Sequence, residues 1–160
     1  MSAILLRSLA AAGAILICCA APAMGASSRL GALRIDNPWA RPTPPGAPTG
    51  AGYLTVTNTG KTADRLMGGA SPLAERVEVH TVSMTGNVMR MRAMPEGAEI
   101  GPGKTLSLAP GGSHLMLVGV KQRIRPGDRI PVTLKFAKAG EVKVEFVAQM
   151  APPPPAHGAH

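Results

Sequence analysis

The sequence predicts a single all-β domain, a β-sandwich or Greek-key barrel of seven to nine short strands. Three observations carry that expectation. Glycine and proline are abundant, 19 and 16 of 160 residues, and they interrupt the chain at short intervals. Between these breaks, apolar and polar residues alternate with the period of two that a half-buried strand requires. No stretch outside the N-terminal segment carries a convincing amphipathic helical stripe. The length suits one core rather than two, and a hydrophobic content of 45% argues against disorder away from the ends.

The first 25 residues have the layout of a secretory signal peptide. Arg7 is the only charge before Arg29, and residues 9–23 form an almost unbroken apolar run. The run ends in Ala21-Pro22-Ala23 and then Met24-Gly25-Ala26, so cleavage is expected near Ala23 or Gly25. It falls short of the ~20 apolar residues that a spanning helix needs. Lipid attachment at Cys18 is disfavoured, because Ile17 stands where a small side chain is wanted. Cys18 and Cys19 are the only cysteines, so the exported domain, residues 26–149, must fold without a disulfide.

Along that domain, residues 30–35 read as a first short strand closed by Asn37-Pro38, and Trp39 reads as a core residue. The run Pro42-Thr43-Pro44-Pro45-Gly46 makes a turn. Residues 52–57 are rich in β-formers and are turned by Asn58-Thr59-Gly60-Lys61. Residues 64–69 are a weaker strand. In residues 75–82, Val77, Val79 and Thr81 face one way, while Arg76, Glu78 and His80 face the other. Thr85-Gly86-Asn87 then returns the chain into residues 88–92, whose Met89 and Met91 point away from Arg90 and Arg92. A loop of two or three residues sets Met91 across from His80 or diagonal to it, within about 5–8 Å.

Residues 104–109 form another strand, turned at Pro110-Gly111-Gly112. Residues 114–118 are apolar at nearly every position, as a strand covered on both faces would be. On it His114 and Met116 share a face, about 6.6 Å apart along the backbone. Residues 129–136 and 141–149 close the domain as a hairpin about Ala139-Gly140, with Val142, Val144 and Phe146 inward. The last residues, 150–160, hold four consecutive prolines with His157 and His160, and are expected to be extended.

The chemistry concentrates in residues 79–116. That stretch holds two of the four histidines and five of the nine methionines, Met84, Met89, Met91, Met94 and Met116. Thioethers with imidazoles and no thiolate favour copper(I) over harder ions. Methionine in a strand is ordinarily core filler, which is the reading for Met67, Met94 and Met150. His80 with Met91, and His114 with Met116, instead supply two imidazoles and two thioethers, enough for a four-coordinate copper(I) site. Met89 shares Met91's face, and the residues alone do not separate the two; Met84 is a secondary sulfur. His157 and His160 are candidates for copper(II). A blue-copper electron carrier is excluded, because its thiolate ligand is missing.

Composition narrows the rest. Without Arg7, 16 basic residues face 9 acidic ones, a net charge of about +7. With aromatics at 2%, stacking on bases has little to work with, so no nucleic-acid partner is expected. Lys121, Arg123, Arg125 and Arg129 form a basic cluster able to meet an acidic partner or simply to be solvated. No nucleophile–base pair or carboxylate dyad can be placed, so the chain is not expected to be an enzyme.

The order His, ten residues, Met, some twenty-one residues, His-x-Met resembles the signature of the PCu(A)C family of periplasmic copper chaperones. His80 to Met91 matches that spacing. Met91 to His114 has one intervening residue more, assigned to the loop 93–103. The resemblance extends to Asn37-Pro38-Trp39-Ala40-Arg41, the Pro-Pro-Gly segment, Gly52-Tyr53-Leu54 and Asp64-Arg65-Leu66, spanning roughly residues 33–148. It implies a cupredoxin-like β-sandwich or barrel that binds copper(I) through His80, Met91, His114 and Met116, and it selects Met91 over Met89. It implies a periplasmic carrier, expected as a monomer, that works towards the binuclear copper centre of cytochrome oxidase alongside Sco-type thiol proteins. Thioethers suit an oxidising compartment because they take no proton and form no disulfide. Metal-binding imidazoles must be unprotonated, so affinity is expected to fall below a pH of about 6.5. The rival expectations are a periplasmic copper buffer serving tolerance, and a secreted β-sandwich interaction module without metal.

Overall fold

The computed structural model describes residues 26–154. The expected signal segment and the tail histidines His157 and His160 lie outside the described residues. Among the described residues there are eleven strands and no helix. In chain order they are β1 (Ser27–Leu30), β2 (Leu33–Ala40), β3 (Thr49–Asn58), β4 (Asp64–Ala70), β5 (Arg76–Thr85) and β6 (Val88–Ala93). These are followed by β7 (Ala98–Ile100), β8 (Thr105–Leu108), β9 (His114–Val118), β10 (Arg129–Phe136) and β11 (Gly140–Ala148).

Seven of them form a closed ring of neighbours, β2-β11-β10-β4-β5-β9-β3, because β3 also pairs back onto β2. Closure removes the free edges that an open sheet would expose. The pairings are antiparallel except β11 with β2, which meet in parallel through Val147 opposite Trp39 and Ala148 opposite Ala40. The shorter strands extend this ring, with β1 on β2, β6 on β5, β7 on β4 and β8 on β3. The all-β single-domain architecture is thus the expected one.

Alternation decides what goes inside. Ile35, Val56, Leu66, Leu115, Ile130 and Leu134 have no exposed surface, and Phe146 is almost as deeply buried. Each removes its side chain from water, worth about 1.5–3 kcal/mol apiece. Trp39 is buried and packs on Tyr53, with ring centroids 4.6 Å apart, as its reading as a core residue requires.

Three local features depart from the sequence reading. Residues 30–35 are not one strand: Gly31, at φ 56°, turns β1 into β2. The chain also does not stop at Asn37-Pro38. Asn37 adopts φ 54° and β2 continues through a register shift against β3 between Asp36 and Trp39, a bulge that absorbs the proline. The short β7 adds a strand that the sequence does not signal, since three residues carry too little alternation to register as one.

The turn between β10 and β11 is held from a distance. Asp64, at the start of β4, accepts backbone N–H bonds from Lys138 and Ala139 at 2.8 Å each and from Arg65 at 2.7 Å. Burial pushes this carboxyl up, but the three N–H bonds, helped by the Lys138 charge, outweigh burial and hold it below the ordinary carboxylate value.

Candidate metal centre

The hairpin of β5 and β6 positions the first donors. Thr85 pairs with Val88, so Gly86 and Asn87 form a two-residue turn, with Gly86 at φ 62°. That turn fixes Met84 opposite Met89, Val82 opposite Met91 and His80 opposite Ala93. Residues paired across an antiparallel ladder share a face, so Met91 lies diagonal to His80 on the same side.

The other donors come from β9, which pairs with β5 on its opposite flank. His114 lies directly across from His80, and Met116 directly across from Glu78. The two imidazole centroids are 5.8 Å apart, with their planes inclined at 41°. All four candidate ligands, His80, Met91, His114 and Met116, therefore occupy one face of three adjacent strands. A depression of about 360 Å³ opens over this face, and its walls include Tyr53, Val82, Met89, Met91, His114 and Met116. His80 does not line it, and reaches the site beside the ring of His114.

Each histidine has one nitrogen tied and one left over. The Nδ1 of His114 lies 3.2 Å from the Gly112 carbonyl oxygen. A carbonyl only accepts, so Nδ1 donates and Nε2 carries the lone pair. For His80 the arrangement is reversed. Its Nε2 lies 3.0 Å from Glu78 Oε2, so in the neutral ring Nε2–H donates to the carboxylate. Its Nδ1 is buried and has no hydrogen-bond partner. A buried lone pair without a partner is costly in an interior that satisfies nearly all its polar groups, and a bound cation is one thing that would satisfy it. Glu78 also accepts from Arg76 Nε at 2.9 Å. The hydrogen bonds from His80 and then Arg76 hold its carboxyl below the ordinary value.

Burial is graded across the site. His114 is buried, at 6%, while Met91 is 51% exposed and Met116 is half-buried. Sulfur can thus meet a partner at the surface while nitrogen is fixed below. Among the described residues no three or more His, Cys, Asp or Glu side chains are arranged to hold a metal ion, so a metal held here would draw on thioethers. Two imidazole lone pairs with two thioethers make a set suited to copper(I).

Other expected candidates lie apart. Met94 is partly buried against the core, in keeping with a packing role, and lines a separate depression of about 200 Å³ with Met67, Val77 and Val79. Met67 itself is 39% exposed, so the core-filler reading does not hold for it. Met150 is 76% exposed beyond β11 and packs into no core. In the basic cluster, Arg123 donates to the Thr43 carbonyl and Arg129 pairs with Glu145, so two of the four cations have structural work. Two residues of the site had no assigned role in the sequence. Alternation puts Glu78 on the His80 face, but it does not encode the bond to the ring. Tyr53 reaches His114, at 6.5 Å between ring centroids, only because β3 pairs with β9. Burial pushes the Tyr53 phenol up, against the lowering charge of Arg41.

The fold is that of a PCu(A)C domain, cupredoxin-like and all-β. The chain belongs to the family described as "Putative lipoprotein LpqE-like", which it matches over residues 33–148. It is similar to the copper-bound PCuAC domain from PmoF2, with a TM-score of 0.67 and 27% identity, covering 78% of this chain and 97% of that domain. It is similar also to the solution structure of CuI-DR1885 from Deinococcus radiodurans, with a TM-score of 0.59, 26% identity, and coverage of 77% and 80% respectively. Among curated proteins it is 32% identical over 105 residues to "Putative lipoprotein Lxx21020" of Leifsonia xyli subsp. xyli (strain CTCB07), which is 66% of this chain. The chain spans 62% of that relative's length.

Proposed function

We propose that this protein is an extracytoplasmic copper chaperone that binds copper(I) through His80 Nδ1, His114 Nε2 and the sulfurs of Met91 and Met116. The observation that carries the reading is the pair of facing imidazoles, one with a buried, unpartnered Nδ1, on the face that also carries the two thioethers. The copper-bound PmoF2 domain and the copper(I) form of DR1885 support copper as the cargo, and the latter supports the oxidation state. In this role the ion is a passenger, and the protein does no catalysis.

Half-exposed sulfur suits exchange. A thioether can release the ion to an incoming donor without proton transfer, while the imidazoles hold position on the strands. The lipoprotein names of the family and of the Leifsonia relative support a location outside the cytoplasm, in keeping with an exported, periplasmic protein. The destination we propose is the binuclear copper centre of cytochrome oxidase, reached directly or by way of a Sco-type protein, with the carrier acting as a monomer. Copper(I)-loaded protein mixed with an apo oxidase copper subunit tests delivery. Transfer of the ion supports it; retention of the ion, together with copper-sensitive growth of a deletion strain, would mark the protein as a buffer instead.

A further inference from the structure

Met84 and Met89 are not among the four ligands of the site described above, and core packing does not explain them. They face each other across the β5–β6 ladder, yet they are 62% and 63% exposed. Every residue of β6 is exposed, so this hairpin projects from the barrel. A methionine kept for packing would be buried.

Register makes the pair more than a loose patch. Met84, Val82 and His80 alternate along one face of β5, and Met89, Met91 and Ala93 along the same face of β6. Met89 also lines the depression that holds Met91, His114 and Met116. Directly opposed residues have Cβ atoms about 4.5–5.5 Å apart, close enough for two flexible thioethers to converge on one ion. Met91 is one same-face step further in, about 6.6–6.8 Å along the strand. Arg90 and Arg92 fall on the opposite face of β6 and do not intervene.

We propose that Met84 and Met89 form a second soft-metal site, an outer station that takes copper(I) at the hairpin and passes it inward through Met91. The hand-over is a ligand exchange. Copper–sulfur bonds to Met84 and Met89 break as bonds to Met91 and then to Met116 and the two imidazoles form. The ion remains monovalent, no electron moves, and the thioethers carry no proton. The outer pair stands on its own geometry; the inward passage rests on the function proposed above.

The full chain carrying methyl-labelled methionine, titrated with silver(I) as a redox-inert soft probe, tests both parts by NMR. The first equivalent should shift the methyls of Met91 and Met116, and the second those of Met84 and Met89, with Met67 and Met94 unmoved. In the Met84→Leu variant, which leaves the wall of the inner depression intact, the second step should vanish and the first remain. Copper(I) loading of that variant from a chelator should be slower, with the final inner-site occupancy unchanged. Met84 and Met89 methyls that stay put under a severalfold excess of silver(I) would overturn the outer site while leaving the inner one intact. Shifts at Met84 and Met89 without any at Met91 or Met116 would support the outer pair but overturn the passage and the inner site together. Unchanged loading kinetics in the Met84→Leu variant would overturn the passage alone.

Discussion

His80 and His114 stand directly opposite each other on β5 and β9, with ring centroids 5.8 Å apart, and each ring is tied by the nitrogen that the other leaves free. His80 is held through Nε2 and His114 through Nδ1. The tethers fix the tautomers, and so decide which lone pairs are left for a metal.

Glu78 is therefore expected to matter without touching the ion. Glu78→Ala removes the acceptor for His80 Nε2–H and frees the ring to change tautomer. Copper(I) affinity should fall about 10–100-fold, with thermal stability little changed because the bond lies near the surface. Competition against a copper(I) chelator measures the first, and a melting curve the second.

His114→Ala should act on both quantities. It removes a ligand, so affinity should drop by on the order of 100-fold or more, at least matching the loss of an outer-shell partner. It also leaves the Gly112 carbonyl without its donor, which costs about 1 kcal/mol of stability. Denaturant unfolding of the metal-free protein isolates the second effect.

Asp64 sets an acid limit on the fold. Its carboxyl lies below the ordinary value when folded, so the unfolded chain binds the proton more readily. The stability it contributes is present above the unfolded carboxylate value of about 3.9 and is lost as pH falls through the lower folded value. Asp64→Ala should destabilise the protein at neutral pH by about 2–3 kcal/mol, since three N–H bonds to a charged acceptor are lost. It should also flatten the acid limb of a plot of stability against pH.

Gly69 permits β4 to lie close against β10. A Cβ added there would overlap the Thr133 carbonyl oxygen, which is backbone and cannot turn aside. Gly69→Ala should cost about 2–3 kcal/mol and lower the melting temperature, even though the substitution looks conservative.

Much of this could be read in the chain beforehand, and the boundary is a physical one. The strand β9 shows as a short apolar run after a Pro-Gly-Gly turn. Strand identity in β5, β6, β10 and β11 follows from local alternation and turn residues, as does the diagonal placing of Met91 beside His80. Those are short-range consequences of a two-residue turn. The facing of His80 and His114 is different: it needs β5 to pair with β9, whose residues lie more than thirty positions apart, and no periodicity encodes that. The resemblance to a family pattern supplied the link that alternation lacked. Barrel closure through β2 and β3, the bulge that carries Asn37 and Pro38, and the choice of nitrogen on each ring all depend on tertiary contacts. They became visible only in the folded chain.

The most direct test of the central claim is a copper(I) titration of the protein under a competing chelator, read beside the His80→Ala and Met91→Leu variants. One tightly held ion in the unmodified protein, weakened by at least tenfold in each variant, is the predicted result. Equal copper uptake by all three proteins, or none by the unmodified one, would contradict it.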